Sequence, residues 1–220
     1  MLGQSITRNS VLLSLFAVVT TVLIAGTYLL TRDTIAEARR QAEQRALLEI
    51  VPDERHDNNM LDDTLTARAG EDLLGLRRDK AIYLAREAGK TVAVILPVTA
   101  PDGYSGAIDM IVGVNRDGSV AGVRVLNHRE TPGLGDKVEL AKSDWILGFE
   151  GRSLGNPAPK DWAVKKDGGV FDQFTGATIT PRAVVAATRR ALQYAEARHD
   201  SLFAAGDTSP AAPNAPSGAQ

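Results

Sequence analysis

The chain has 220 residues, 44% hydrophobic and 24% charged, with a formal net charge of −2 and a pI near 5.9. That length fits one domain with appendages, and that charge gives no electrostatic footing for nucleic acid. The lack of cysteine excludes disulfides, iron–sulfur clusters and thiol nucleophiles, while His56, His128 and His199 stand too far apart to give a zinc-ligand spacing.

In chain order, residues 1–8 form a short N-terminal segment and residues 9–31 carry no charge, with an apolar centre at Val11–Leu30. About 20 helical residues cover the roughly 30 Å of bilayer hydrocarbon, so a single transmembrane anchor is expected here. The apolar core of a signal peptide is about 7–15 residues long. Tyr28, Leu29 and Leu30 carry this run past the small residues Ala25 and Gly26, which favours an uncleaved anchor. Arg8 flanks one end, whereas Arg32, Arg39 and Arg40 flank the other, so the charge count does not support a cytoplasmic N-terminus.

Over residues 32–52, Ile35, Ala38, Ala42, Ala46, Leu47 and Ile50 recur at helical spacing between Glu37, Arg39, Arg40, Glu43 and Arg45. This predicts an amphipathic connecting helix ended by Pro52. Residues 53–205 are expected to form the domain proper. Strand patterns at Ala81–Arg86 and Thr91–Val98 flank Glu87-Ala88-Gly89-Lys90, and Ala107–Val114 and Val120–Asn127 flank Asn115-Arg116-Asp117-Gly118. Each pair predicts an antiparallel hairpin. Helices are expected at Lys137–Phe149 and Arg182–Arg198, the second with Ala183, Val184, Ala187, Ala191 and Tyr194 along one face. The fold class is therefore α+β, antiparallel strands with flanking helices. An aromatic content of 5% predicts a largely aliphatic core. Residues 206–220, rich in Ser, Pro, Ala and Gly, are expected to be disordered.

The most informative stretch is Asp172–Val185, where Thr175-Gly176-Ala177-Thr178-Ile179-Thr180 runs into a helix expected to start at Pro181. Small residues permit close approach to the backbone, and a helix start offers free amides and a positive dipole end to an anion. Hydroxyls there suit a phosphate, held or covalently attached. Thr180 followed by Pro181 is equally what an ordinary N-cap and first helical residue look like. Upstream, Glu130-Thr131-Pro132-Gly133-Leu134-Gly135 offers a tight turn with an apolar side chain, although such a turn also joins a strand to a helix with no ligand present. No paired carboxylates or nucleophile triad stands out, so neither independent catalysis nor a metal site is expected.

Asp172-x-x-Thr175-Gly176-Ala177-Thr178-x-Thr180 resembles the flavinylation motif of FMN-binding domains in Rnf-type and Na+-translocating quinone reductase complexes. Ala100–Ile108, His128–Lys137, Ser143–Ile146 and Trp162–Gly169 lie in the same order as in the G subunit of Rnf/Rsx electron transport complexes, which the chain resembles over roughly residues 1–200. The resemblance implies covalent FMN on the last motif threonine, Thr180, with Thr178 as the alternative carrier and Thr175, Gly176 and Ala177 shaping the turn. It further implies that Thr131, Gly133, Leu134 and Gly135 cover the flavin ring, with Tyr104 at the edge and Lys165 paired to phosphate or biasing the flavin's charge. A separate flavin transferase using FAD and Mg2+ is implied as the maturation partner, with Asp172 as a recognition residue. Other subunits of a membrane electron transport complex are implied as working partners. The flavin domain is implied to lie on the periplasmic side of the bacterial inner membrane. Two other readings stay open: the related subunit of a Na+-translocating NADH:quinone reductase, and a membrane-anchored interaction module without flavin.

Overall fold

The computed structural model describes residues 2–70 and 73–204; the tail expected over residues 206–220 lies outside them. The chain divides into two compact units, residues 1–45 and 46–220.

The first unit is helical. It lies within α1 (Leu2–Ile50), the one helix among the described residues long and apolar enough to cross a membrane. Side chains from Val11 to Leu30 are exposed all round. The Thr20, Thr27 and Thr31 hydroxyls donate to the carbonyls of Phe16, Leu23 and Thr27 at 2.7–2.8 Å. Those bonds leave the hydroxyls satisfied without water, as a bilayer interior requires.

The second unit starts with the last turn of α1 and is built on a five-stranded antiparallel meander, β1 (Thr64–Ala67), β2 (Lys80–Glu87), β3 (Lys90–Gly103), β4 (Gly106–Asn115) and β5 (Val120–Asn127), in that spatial order. Its alternation separates two cores. Ile82, Leu84, Val94, Leu96, Val98, Met110 and Val112 face α2 (Ile179–Ala197) and α3 (His199–Ala204). Tyr83, Ala85, Ala93, Ile95 and Ile111 face Leu47, Ile50, Val51 and Met60. Both faces being covered makes β3 a nearly continuous buried run from Ala93 to Ala100, interrupted by no exposed residue. Ile50 rests on the directly paired Gly113 and Gly122, where an added Cβ at Gly113 would lie 2.3 Å from Ile50 Cγ2. Arg124, itself buried, donates to the Glu49 carboxylate at 2.9 Å and to the Glu49 carbonyl at 3.0 Å, closing the end of the helix before Pro52.

The expected hairpins are present, and the Glu87–Lys90 turn places both Ala88 and Gly89 at positive φ. β1 has no counterpart among the expected elements; four residues with two apolar members give too short a pattern to read. The helix expected at Lys137–Phe149 is not formed. Gly135–Val138 and Asp144–Phe149 are separate 3-10 turns, and Ser143 accepts the Trp145 amide between them. Ile146 and Phe149, three residues apart, lie on one buried face of the second turn. The sheet core is aliphatic as expected, but the loops between β5 and α2 pack on an aromatic cluster of Trp145, Phe149, Trp162, Phe171 and Phe174, with ring centroids 4.6–6.3 Å apart.

Asp63 ties the chain before β1 to β2 through two hydrogen bonds from Arg86, at 2.5 and 3.0 Å. Those bonds, opposed by burial and aided by Arg86's charge and Asn58, hold the Asp63 carboxyl below the usual carboxylate range. A depressed folded-state pKa contributes stability above the unfolded value and loses it as pH falls through the folded one. Asp63→Asn is expected to cost about 1–3 kcal/mol at neutral pH, and the gap from wild type should close as the pH falls through the lowered Asp63 value, as read by thermal unfolding across pH.

Candidate functional site

Three segments far apart in sequence converge beside the start of α2. The first is the tip of the β3–β4 hairpin, where Gly103 pairs with Gly106 and Tyr104 is exposed. The second is the turn after β5. Leu134 and Gly135 both donate their amides to the Thr131 carbonyl at 3.1 Å, with Pro132 and Gly133 between and Gly133 at φ 77°. Pro sets the first corner of such a turn, and only glycine adopts the second without strain. The third is the run from Phe174 to Ala177, closed by the Ala177 amide on the Phe174 carbonyl at 3.0 Å. Leu134 and Gly176 meet across the gap: a Cβ on Gly176 would stand 3.6 Å from Leu134 Cδ2.

These segments enclose a cleft of about 350 Å³ lined by Tyr104, Glu130, Thr131, Leu134, Gly135 and the run Gly176–Thr180. Tyr104, Leu134 and Ile179 expose large apolar surface at its edge. α2 begins at Ile179, two residues before the expected start at Pro181, so Thr178 is the N-cap and Thr180 lies inside the first turn. Thr178 makes no side-chain cap bond, and the amides of Ile179 and Thr180 have no hydrogen-bond acceptor among the described residues. Free amides at the positive end of a 19-residue helix make this corner of the cleft receptive to an anion.

Thr180 does not present a free hydroxyl. It is 0% exposed, and its hydroxyl donates to Glu130 Oε2. Glu130 is itself buried and accepts the Ser105 amide on Oε1 at 2.9 Å. The Glu130 amide donates to His128 Nδ1 at 3.0 Å. With Nδ1 accepting, the ring proton sits on Nε2 and is shared with Glu139 Oε1 at 2.5 Å. Gly135 closes over this pair: a Cβ there would lie 2.8 Å from Thr180 Oγ1 and 2.9 Å from Glu130 Cβ. Asp136 next to it is buried, and one of its carboxylate oxygens has no hydrogen-bond partner among the described residues.

Of the residues expected at the site, Thr131, Leu134, Gly135, Gly176, Ala177, Thr178 and Thr180 line one cleft together with Tyr104. Gly133 and Thr175 lie in the flanking turns without lining it. Lys165 lies apart from the lining, paired at 2.6 Å with Asp172, and both are largely exposed. Asp172 is also fixed through its carbonyl, which accepts Trp145 Nε1 at 2.8 Å. Arg182 is engaged by Asp167 through two hydrogen bonds at 2.5 Å, which hold the Asp167 carboxyl below its ordinary value. Sequence reading missed Glu130 and Ile179. Glu130 carries no local sign of burial, because its partners stand 25 and 50 residues away.

A small, largely apolar cleft with one polar, amide-rich corner is the form of a cofactor-binding domain. Residues 103–193 match the family described as FMN-binding domain, and residues 1–50 match the RnfG N-terminal region. The G subunit of the ion-translocating oxidoreductase complex of Pseudomonas aeruginosa is 54% identical over 201 residues, covering 91% of this chain and 94% of that protein. Its counterpart in Pseudoalteromonas atlantica is 48% identical over 202 residues, covering 92% and 94%. The chain belongs to this family, the G subunits of ion-translocating oxidoreductase complexes. Among solved structures, NqrC of Shewanella oneidensis aligns with a TM-score of 0.46 at 24% identity, over 66% of this chain and 74% of that one.

The residues present fit FMN. The uncapped start of α2 suits its phosphate, and the edge formed by Tyr104, Leu134 and Ile179 suits a flat ring. Gly135 is the tightest point in this assembly. Gly135→Ala is expected to force the Thr180–Glu130 pair apart and cost about 1–3 kcal/mol, the usual penalty of overpacking. Thermal unfolding of the purified chain reads the loss.

Proposed function

We propose that this chain is the membrane-anchored flavin carrier of an ion-translocating electron transport complex, with FMN joined through its phosphate to the Thr178 hydroxyl. The observation that carries this reading is the convergence of the Thr131–Gly135 turn, the hairpin tip and the Thr178 N-cap on one cleft. FMN supplies the one- and two-electron chemistry when bound, and the protein sets its position, access and potential.

The choice of Thr178 over Thr180 rests on access. A phosphoryl acceptor must offer its oxygen to the incoming phosphorus, and the Thr180 hydroxyl is buried and already committed to Glu130. Thr178 is half-buried, lines the cleft, and its hydroxyl has no hydrogen-bond partner among the described residues. Both residues sit at the same helix start, so either phosphodiester would meet the helix's positive end; only one has a hydroxyl free to react. An unactivated threonine hydroxyl is a poor nucleophile. Attachment therefore falls to a flavin transferase drawing on FAD: a new bond forms from Thr178 Oγ1 to the FMN phosphorus, and AMP leaves. The exposed Lys165–Asp172 pair, held by Trp145, gives such a transferase a fixed feature beside the motif.

α1 anchors the chain in the inner membrane, with the flavin domain on the periplasmic side and electrons passing to and from neighbouring subunits of the complex. The charge flanking the apolar run does not decide that sidedness; family likeness supports it.

Intact-protein mass after co-expression with a flavin transferase tests the attachment. Thr178→Ala is expected to abolish the FMN adduct while the domain stays folded, whereas Thr180→Val keeps it. An adduct retained by Thr178→Ala and lost from Thr180→Val would reverse the assignment.

A further inference from the structure

We propose that Glu130 sets the reduction potential of the flavin held in this cleft, by opposing the negative charge that the flavin gains on reduction. The inference rests on reading the cleft as the FMN site. Among the ten residues that line it, Glu130 and Tyr104 are the ionisable ones, and no Lys, Arg or His is among them. On the flanking segments Lys165 pairs with Asp172 and Arg182 with Asp167, and Arg129 and Lys137 lie outside the lining. The cleft therefore carries an acidic group with no offsetting cation in its lining.

Burial strengthens the effect. Glu130 is 4% exposed, so little water screens its carboxylate from a neighbour in the same cleft. Its position is fixed from three directions: the Ser105 amide on Oε1, the Thr180 hydroxyl on Oε2, and His128 holding its own amide, with Glu139 behind the His128 ring. The Ser105 amide and the Thr180 hydroxyl are neutral donors, so they hold the side chain in place without bringing a cation to it. Full reduction of FMN takes up two electrons from a reductant and, at neutral pH, leaves one added negative charge on the ring system after proton uptake. A fixed carboxylate in the wall disfavours that product and so lowers the potential.

The same carboxylate also clamps the hairpin tip to α2, so its charge and its clamping must be separated. Glu130→Gln removes the charge while an amide can still accept from Ser105 and meet the Thr180 hydroxyl. Thr180→Val breaks one side of the clamp and leaves the charge. The measurement is potentiometric titration of the FMN-loaded full-length chain in detergent, followed by flavin absorbance. The expected result is a positive shift of the midpoint in Glu130→Gln and no positive shift in Thr180→Val. An unchanged or lowered midpoint in Glu130→Gln overturns the proposal. So does an equal positive shift in Thr180→Val, which would assign the effect to packing. A folded Glu130→Gln chain that takes up no FMN overturns it as well, because the carboxylate would then serve attachment. If Glu130→Gln does not fold, Thr180→Val decides alone, a positive shift being the contrary outcome. Loss of FMN from Thr180→Val instead counts against the Thr178 attachment, and Glu130→Asp then replaces it as the variant that keeps the charge and disturbs the clamp.

Discussion

The candidate site depends on one buried hydrogen bond, from the Thr180 hydroxyl to the Glu130 carboxylate, across 50 residues of sequence. A buried carboxylate without partners is costly, and one that loses a partner costs several times what the bond contributes net. The chain satisfies this group with the Ser105 amide and Thr180, which obliges the β3–β4 hairpin tip, the exit of β5 and the first turn of α2 to stay together. Gly135 is required because nothing larger fits against that bond, and Pro132 and Gly133 bend the chain so that Gly135 arrives there. The cleft is the space these obligations leave beside the α2 N-terminus.

The sheet supplies the rigidity on which that arrangement stands. Five strands in simple meander order need only short connections, and both faces are covered, one by α2 and α3 and the other by Leu47, Ile50 and Val51. The hairpin tip carrying Tyr104 and Ser105 is the far end of the two longest strands, whose paired registers run from Ala93↔Asn115 to Gly103↔Gly106. The long connection from β5 to α2 contains only short 3-10 turns and isolated bridges, yet an aromatic cluster and the Trp145–Asp172 bond fix it. Loops held on a rigid scaffold are where binding residues are usually placed.

Much of this was legible in the sequence where the physics is local. Apolar strand patterns flanking two turn signals marked four of the strands, helical spacing marked the buried face of α2, and an uncharged run marked the apolar length of α1. The turn residues at Thr131–Gly135 and Thr175–Thr180 pointed to the cleft because glycine, proline and threonine have few other reasons to cluster so. What was not legible depends on contacts between distant residues. The burial of Glu130 and the commitment of the Thr180 hydroxyl each follow from a partner 25 or more residues away. The start of α2 at Ile179 is a smaller miss with a larger consequence: it moves the N-cap from Thr180 to Thr178 and with it the hydroxyl available at the cleft.

Attachment at that hydroxyl is the central claim, since a carrier that works within a complex must keep its flavin through many turnovers, and a tether removes dissociation from the cycle. The most direct test leaves the sequence unaltered. The full-length chain, matured with a flavin transferase, is digested with trypsin, and the peptide from Asp167 to Arg182 is fragmented by a method that preserves phosphoesters. Fragment masses that place FMN on Thr178 are the predicted result. FMN on Thr180, or a peptide with no FMN at all, would contradict the account.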